Sequence, residues 1–317
     1  MTDDPEILAS PEVPGELQPL PAPPPPRPRR IPNFGHTVLF FTVAIVVLLL
    51  TSVSVFALAM GLHLLGTETP EQLLREPRLL IPSMAASYLI AGGIVWAIFT
   101  YLWQQPFVRA LHWNFAAVRR RWVSLLVSGV VLSLAVQFLS NYLPIPKTLP
   151  IDDFFRTSAD VWLVALFGTF LAPVFEELAF RGFLLPSLAS AYDWLRGNNR
   201  PSHDDPVVDP VVNKPVVNNP VVNNPVVHNN DQRWSVAALV FSCALTSIAF
   251  ALVHADQLAH AWAPLAVLFG VSLVLCLVRL WTQSLAASTL IHAVYNGTIF
   301  TILFFVTGGF RHLDKIR

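Results

Sequence analysis

Three charged side chains lie inside one long apolar run of the sequence. Glu176, Glu177 and Arg181 all fall between Val161 and Leu188. A charged residue at the centre of a membrane helix costs about 2.5–3.5 kcal/mol on insertion scales. A helix that retains three such groups is therefore expected to use them.

Helical spacing predicts different roles for the two glutamates. Glu177 and Arg181 are four residues apart, so they share a helix face and can form an ion pair. Glu176 is turned about 100° from Glu177 and has no such partner on its own helix. We interpret Glu177–Arg181 as a structural brace and Glu176 as the reactive group. On these residues alone, a short amphipathic helix at the membrane surface explains the pattern equally well.

Two further polar pairs interrupt apolar segments later in the chain. His254 follows Phe250 by four residues, so the two share a helix face. Asn296 follows His292 at the same spacing. A single polar residue in a membrane helix is often only an interhelical hydrogen-bonding group. Together, these residues predict one water-accessible cavity within the membrane, formed by three helices. Its members are Glu176, His254, His292 and Asn296.

The composition is that of an integral membrane protein. Of the 317 residues, 54% are hydrophobic and 13% are charged, whereas soluble proteins carry about 25% charged residues. The formal net charge is zero, which gives no electrostatic basis for nucleic acid as a partner. The two cysteines, Cys243 and Cys276, lie in apolar segments and are interpreted as packing residues.

Uncharged apolar runs predict an all-α fold, a polytopic membrane bundle of about seven to eight transmembrane helices. The fourth predicted span extends from about Asp160 to Ala191 and contains both glutamates. The other predicted spans are Val38–Leu62, Ile81–Trp103, Trp122–Leu139, Trp234 to about His260, Pro264–Trp281 and Ser284–Val306.

Polar segments divide the chain into regions. Residues 1–36 are predicted to be a disordered, proline-rich tail. Residues 37–157 hold the N-terminal transmembrane helices, and 158–308 form the membrane core with the polar motifs. Residues 197–230, with repeated units similar to Pro-Val-Val-Asn-Asn, are predicted to be a flexible insertion in that core. Residues 309–317 form a short basic tail.

Basic residues predict the orientation in the membrane. Three arginines precede the first helix, and four more lie in the loop at 104–121. The loops on the other side, 68–78 and 144–157, hold two basic residues each. Because cytoplasmic loops are enriched in Lys and Arg, the amino terminus is predicted to be cytoplasmic, in the plasma (inner) membrane. With seven spans, the basic tail would fall on the opposite side, against this rule.

Three motifs occur in order on three predicted helices. They are Glu-Glu-x-x-x-Arg at Glu176–Arg181, Phe-x-x-x-His at Phe250–His254 and His-x-x-x-Asn at His292–Asn296. This pattern resembles the CAAX protease and bacteriocin-processing (CPBP, or Abi) family of intramembrane proteases, which includes the type II CAAX prenyl endopeptidases. The resemblance covers about Val161–Val306. It implies an endopeptidase that acts, within the lipid bilayer, on a membrane-attached and CAAX-like peptide or protein.

The resemblance also implies a role for each motif residue. Glu176 with His254 would orient and deprotonate a water molecule, and Asn296 would donate an N–H to the oxyanion. His292 would donate a hydrogen bond or bind a metal. In a metal-dependent form, Glu176, His254 and His292 resemble a zinc set with one open position. Zinc and a metal-independent mechanism are both compatible with the family. Structural support is assigned to Glu177, Arg181 and Phe250.

Two other functions would use the same polar groups. A non-catalytic membrane scaffold or chaperone could keep the fold without cleaving a peptide, and an activity measurement separates the two. A transporter could use these groups as a path for protons or ions. Internal inverted repeats would favour a transporter, and the sequence shows none.

Overall fold

The computed structural model describes residues 31–62, 76–146, 148–197 and 234–316, which contain helices and no strands. The all-α prediction is therefore confirmed for the described part of the chain. Short 3-10 turns lie at Pro150–Phe155, Asp256–Leu258 and Leu313–Ile316. The helices, in chain order, are α1 (Phe34–Gly61), α2 (Pro77–Trp103), α3 (Phe107–Ala110), α4 (Phe115–Ser140), α5 (Ser158–Leu195), α6 (Val236–Leu252), α7 (Trp262–Thr282) and α8 (Leu285–Val306).

Six of these helices are long and apolar enough to cross a membrane, namely α1, α2, α4, α5, α7 and α8. Their lengths run from 21 to 38 residues, against the roughly 20 that a bilayer requires. Helix α6 is also apolar but has 17 residues. The predicted polytopic membrane bundle is confirmed, and the seven predicted spans correspond to these seven helices.

Two helix ends differ from the predicted ones. Helix α4 begins at Phe115, well before Trp122, because the Asn114 side chain accepts the Ala117 N–H at 3.1 Å and caps the helix. The arginines that follow remain exposed at this end, where their charge can reach water. Helix α6 ends at Leu252, well before His260, since the chain turns there into the short 3-10 segment.

Contacts between helix ends show that the bundle runs alternately up and down. At one end, the Trp103 indole donates to the His36 ring at 3.4 Å, and the Thr37 hydroxyl lies 2.9 Å from that of Ser187. At the other end, Arg78 pairs with Asp160 at 3.1 Å. Near that second end, the Ser158 hydroxyl at the start of α5 donates to the carbonyl of Phe310, which lies just after α8. The start of α1 and the end of α8 therefore lie at opposite ends of the bundle.

Helix α5 contains two π-helical segments, Phe167–Leu171 and Leu178–Leu184. The Ala172 N–H donates to the Phe167 carbonyl, and the Leu185 N–H donates to the Phe180 carbonyl, five residues back in each case. A proline follows each of these donors. Because proline has no N–H, it cannot continue the hydrogen-bond ladder, and each widened segment ends at that point. Such segments are frequent at functional sites.

The N-terminal helices share a core with helix α5. The Phe40 ring of α1 stacks on Phe183 at 4.5 Å between centroids, and Phe99 of α2 lies 4.9 Å from the same ring. All three side chains are fully buried. Close packing of this kind, rather than expulsion of water, stabilises helix association inside a bilayer. Helices α1 and α2 are thus packed directly against the second π segment.

The chain leaves α5 and enters α6 at neighbouring points. The Asp193 carboxylate accepts the Ser235 N–H at 3.0 Å and the Ser235 hydroxyl at 2.6 Å. Next to it, the Trp234 indole donates to the Ser190 hydroxyl at 3.1 Å. These contacts hold the end of α5 against the start of α6. The predicted insertion at 197–230 and the first 30 residues of the predicted tail lie outside the described residues, except for Gly197.

Candidate active site

The predicted brace forms within α5 and is anchored to α7. Arg181 Nη1 lies 2.9 Å from Glu177 Oε1, and both side chains are fully buried. Arg181 Nη2 donates to the Ser272 hydroxyl at 2.7 Å and to the Ser272 carbonyl at 2.9 Å. The guanidinium thus has a charged partner and two polar partners, which a buried arginine requires to offset its desolvation.

His292 of α8 lies between the two glutamates. Its Nδ1 is 3.1 Å from Glu177 Oε1, and its Nε2 is 3.7 Å from Glu176 Oε2. An ionised carboxylate only accepts hydrogen bonds, so Nδ1 of His292 carries the hydrogen and donates to Glu177. The other ring nitrogen, Nε2, is then directed at Glu176. The brace therefore also orients a histidine, a function that spacing within one helix does not predict.

Burial separates the two glutamates. The side chain of Glu176 keeps 19% of its surface accessible, whereas Glu177 keeps none. Glu177 is committed to Arg181 and His292, while Glu176 has His292 as its ion-pair neighbour at a longer distance. An accessible carboxylate within a helix bundle can meet a substrate, and a fully enclosed one cannot. The predicted roles of the two glutamates, reactive for Glu176 and supporting for Glu177, stay predictions.

His254 lies just beyond the end of α6 and is held by its own backbone. Its Nδ1 is 2.8 Å from the Phe250 carbonyl, and no hydrogen bond or ion pair joins it to Glu176. Helix α6 runs antiparallel to α5, with Phe250 packed on Phe180 at 5.2 Å. His254, four residues after Phe250, is therefore level with Glu176, four residues before Phe180. The early end of α6 thus leaves this half-buried histidine just past the helix, at about the depth of Glu176.

The Phe250 ring connects the polar groups of the site. Its centroid lies 4.9 Å from the His254 ring and 5.8 Å from the His292 ring. The Arg181 guanidinium lies over the same ring at 4.8 Å, a distance at which cation–π attraction operates. Phe250 is fully buried, in agreement with a structural role.

The side-chain amide of Asn296 acts in place of a backbone N–H that α5 lacks. Its Nδ2 donates to the Gly168 carbonyl at 2.7 Å. In the π-helical pattern that carbonyl would accept from the residue five positions later, which is Pro173 and has no N–H. The side chain of Asn296 therefore satisfies an acceptor that the helix leaves open, and this contact fixes its orientation.

Loss of this contact should destabilise the fold. We expect Asn296→Ala to lower the free energy of unfolding by about 1–3 kcal/mol, because the Gly168 carbonyl loses its donor. In a Pro173→Ala background the cost should shrink, since the introduced alanine would offer a backbone N–H to the same carbonyl. Unfolding in detergent measures both. Asn141→Ala, at the exposed end of α4, is the control. Equal costs in the two backgrounds would contradict this explanation.

The proposed zinc ligands do not form a metal-binding set in this arrangement. Among the described residues, no three His, Cys, Asp or Glu side chains lie together as ligands. Glu176 and His292 face each other, and His254 contacts neither of them. The contact between Nδ1 of His292 and Glu177 leaves Nε2 free, which is the usual arrangement of a metal-binding histidine. Zinc therefore stays a prediction, and the steps proposed for this site use no metal.

Two residues of the site were not predicted from the sequence. Ser272 holds Arg181, and Gly168 holds Asn296. A serine in an apolar helix is common, so only the need of a buried guanidinium for further acceptors could have indicated Ser272. The open carbonyl of Gly168 could be predicted from Pro173, five residues later, because proline has no N–H to donate. That prediction requires knowing that the segment is π-helical.

Two surface clefts lie away from the motif residues. One, of about 420 Å³, is lined by Asn33 and Phe34 of the first helix and by the end of α5 from Ser187 to Leu195. Another, of about 470 Å³, lies at the end of α2 and includes Trp96 and Phe107. The single cavity predicted around the four catalytic candidates stays a prediction, and the accessible part of Glu176 marks where it would open.

The fold and this site define a polytopic membrane protein with a glutamate–histidine centre inside its bundle. Residues 158–201 and 222–298 match the family described as Type II CAAX prenyl endopeptidase Rce1-like. This part of the chain is therefore similar to that family, and the resemblance drawn from the three motifs is confirmed. No curated protein and no solved structure gave a significant match.

Proposed function

We propose that this protein is an intramembrane endopeptidase in which Glu176 activates a water molecule for attack on a peptide bond. The observation that carries the proposal is the pairing of an accessible Glu176 with His292, whose other nitrogen is held by the buried Glu177. A carboxylate in a bundle of apolar helices is poorly solvated, which favours its action as a base.

In this proposal, His292 and His254 orient the attacking water molecule beside Glu176. Glu177 fixes the His292 ring so that Nε2 faces Glu176 at 3.7 Å. In His254, the Phe250 carbonyl accepts from Nδ1, and the Nε2 of its neutral ring is then an acceptor. A water molecule bound beside Glu176 can thus be oriented by the carboxylate and by an imidazole nitrogen before it attacks.

Asn296 is proposed as the oxyanion donor. Its amide nitrogen carries two hydrogens, and Gly168 accepts one of them. The second is free to donate to the oxygen of the tetrahedral intermediate. Because the first contact fixes the side chain, this donor is preorganised, which is the condition under which such groups stabilise a developing charge most effectively.

The substrate class follows from the family. Residues 158–201 and 222–298 match a family of prenyl endopeptidases, so the proposed substrate is a peptide whose carboxyl end is attached to the membrane by a prenyl group. The lipid would hold the peptide at the depth of Glu176. A prenylated peptide should therefore be cleaved at a higher kcat/KM than the same peptide without its lipid.

Cleavage of a prenylated peptide by the purified protein, with and without a chelator, tests the mechanism. We expect cleavage that the chelator leaves within about twofold, since the proposed steps need no metal. Activity that is lost on chelation and restored by Zn²⁺ would overturn the metal-independent mechanism. The absence of cleavage with every peptide would support the scaffold alternative instead.

A further inference from the structure

Tyr88 lies on α2, outside the part of the chain that matches the family, yet it packs against the site. Its ring stacks on Phe175 with centroids 4.2 Å apart and an interplanar angle of 16°. It also contacts Phe167 at 5.5 Å. Phe167 is the first residue of the first π segment of α5, and Phe175 directly precedes Glu176. Tyr88 therefore contacts α5 at two positions, and one of them is next to the reactive glutamate.

The Tyr88 hydroxyl is not used by the fold. It forms no hydrogen bond with any described residue, and because the side chain is only half-buried its oxygen stays accessible. A tyrosine hydroxyl can both donate and accept, so an accessible one can bond to a ligand that reaches it. A phenylalanine would make the same stack but could not form that hydrogen bond. The ring stacks on the residue that directly precedes Glu176, so Tyr88 lies beside the reactive centre.

We infer that Tyr88 is a substrate-positioning residue whose hydroxyl donates a hydrogen bond to the peptide substrate beside Glu176. This inference rests on the proposed function. It follows that the site is completed by a helix outside the family-matched core, and that α2 contributes to substrate recognition as well as to packing. Phe167 and Phe175 hold the ring in place. The substrate supplies the hydrogen-bond acceptor that the described residues do not provide.

The kinetic test is Tyr88→Phe, which removes the hydroxyl and retains the stack. We expect KM for the prenylated peptide to rise about tenfold with kcat within about twofold, the pattern of a lost ground-state contact. Thermal stability in detergent should not fall. Tyr101→Phe is the matched control, because Tyr101 lies on the same helix with 80% of its surface exposed, and its KM should not change. An unchanged KM in Tyr88→Phe would overturn the inference.

A second measurement separates failure of this inference from failure of the proposed function. If wild type cleaves and Tyr88→Phe matches it, only the inference fails. If wild type cleaves nothing, ¹⁹F NMR of protein labelled with 3-fluorotyrosine still tests the contact. The signal that disappears in Tyr88→Phe should shift when the prenylated peptide is added, and the Tyr101 signal should not. A Tyr88 signal that does not move at saturating peptide overturns the inference independently of catalysis.

Discussion

Replacing Glu176 by glutamine is expected to lower kcat for peptide cleavage by at least about 100-fold, as the loss of a general base does. Glutamine keeps the shape of the side chain but cannot accept the proton of the attacking water. Because Glu176 is partly accessible and not part of the buried ion pair, the melting temperature in detergent should stay close to that of wild type. Initial rates with a prenylated peptide measure the first quantity and thermal unfolding the second.

Glu76→Gln is a matched control for this substitution. The Glu76 side chain has 21% of its surface accessible, close to the 19% of Glu176, but it lies at the start of α2, far from the motifs in the sequence. It should retain full activity. An active Glu176→Gln would remove the base from the proposed mechanism. An inactive Glu76→Gln would show that the assay reports general damage and not chemistry.

Arg181→Ala should produce the largest loss of stability. The substitution removes the 2.9 Å ion pair with Glu177 and both contacts with Ser272, and it leaves a buried carboxylate without its main partner. Removal of one member of a buried pair costs about 3–5 kcal/mol. Unfolding in detergent measures the loss. Activity should fall with it, because Glu177 would no longer be held in position to orient His292.

Arg156→Ala is the control for the ion pair. Arg156 pairs with Asp153 at 3.0 Å, but both side chains are about half exposed, at 51% and 49%. Exposed pairs contribute about 0–1 kcal/mol, so this variant should unfold close to wild type. If Arg181→Ala and Arg156→Ala have equal effects, the division between a supporting Glu177 and a reactive Glu176 is wrong.

The sequence predicted the features that depend on composition and local spacing. Apolar runs located the seven apolar helices of at least 17 residues in the described part of the chain, and a spacing of four residues correctly paired Glu177 with Arg181. Order and spacing of the three motifs indicated the family that residues 158–201 and 222–298 resemble. These signals are carried by residues close together in the chain, where helix geometry alone determines which side chains share a face.

The sequence could not predict contacts that depend on how the helices pack. His292 meets both glutamates because α8 lies against α5, and Ser272 reaches Arg181 from α7. No direct hydrogen bond joins Glu176 to His254, whose Nδ1 bonds to the Phe250 carbonyl, and their approach through a bridging water stays a prediction. The π segments were also missed, since they follow from a balance of hydrogen bonds around Pro173 and Pro186. The predicted cytoplasmic amino terminus stays a prediction.

The contact between Asp193 and Ser235 has a practical consequence. Because it joins the two helices on either side of residues 198–233, a folded reporter domain can be placed between them without separating their ends. The same end of the bundle carries the start of α1, as the contact between Thr37 and Ser187 shows. A fluorescent or glycosylatable reporter inserted there would thus reveal on which side of the membrane the amino terminus lies.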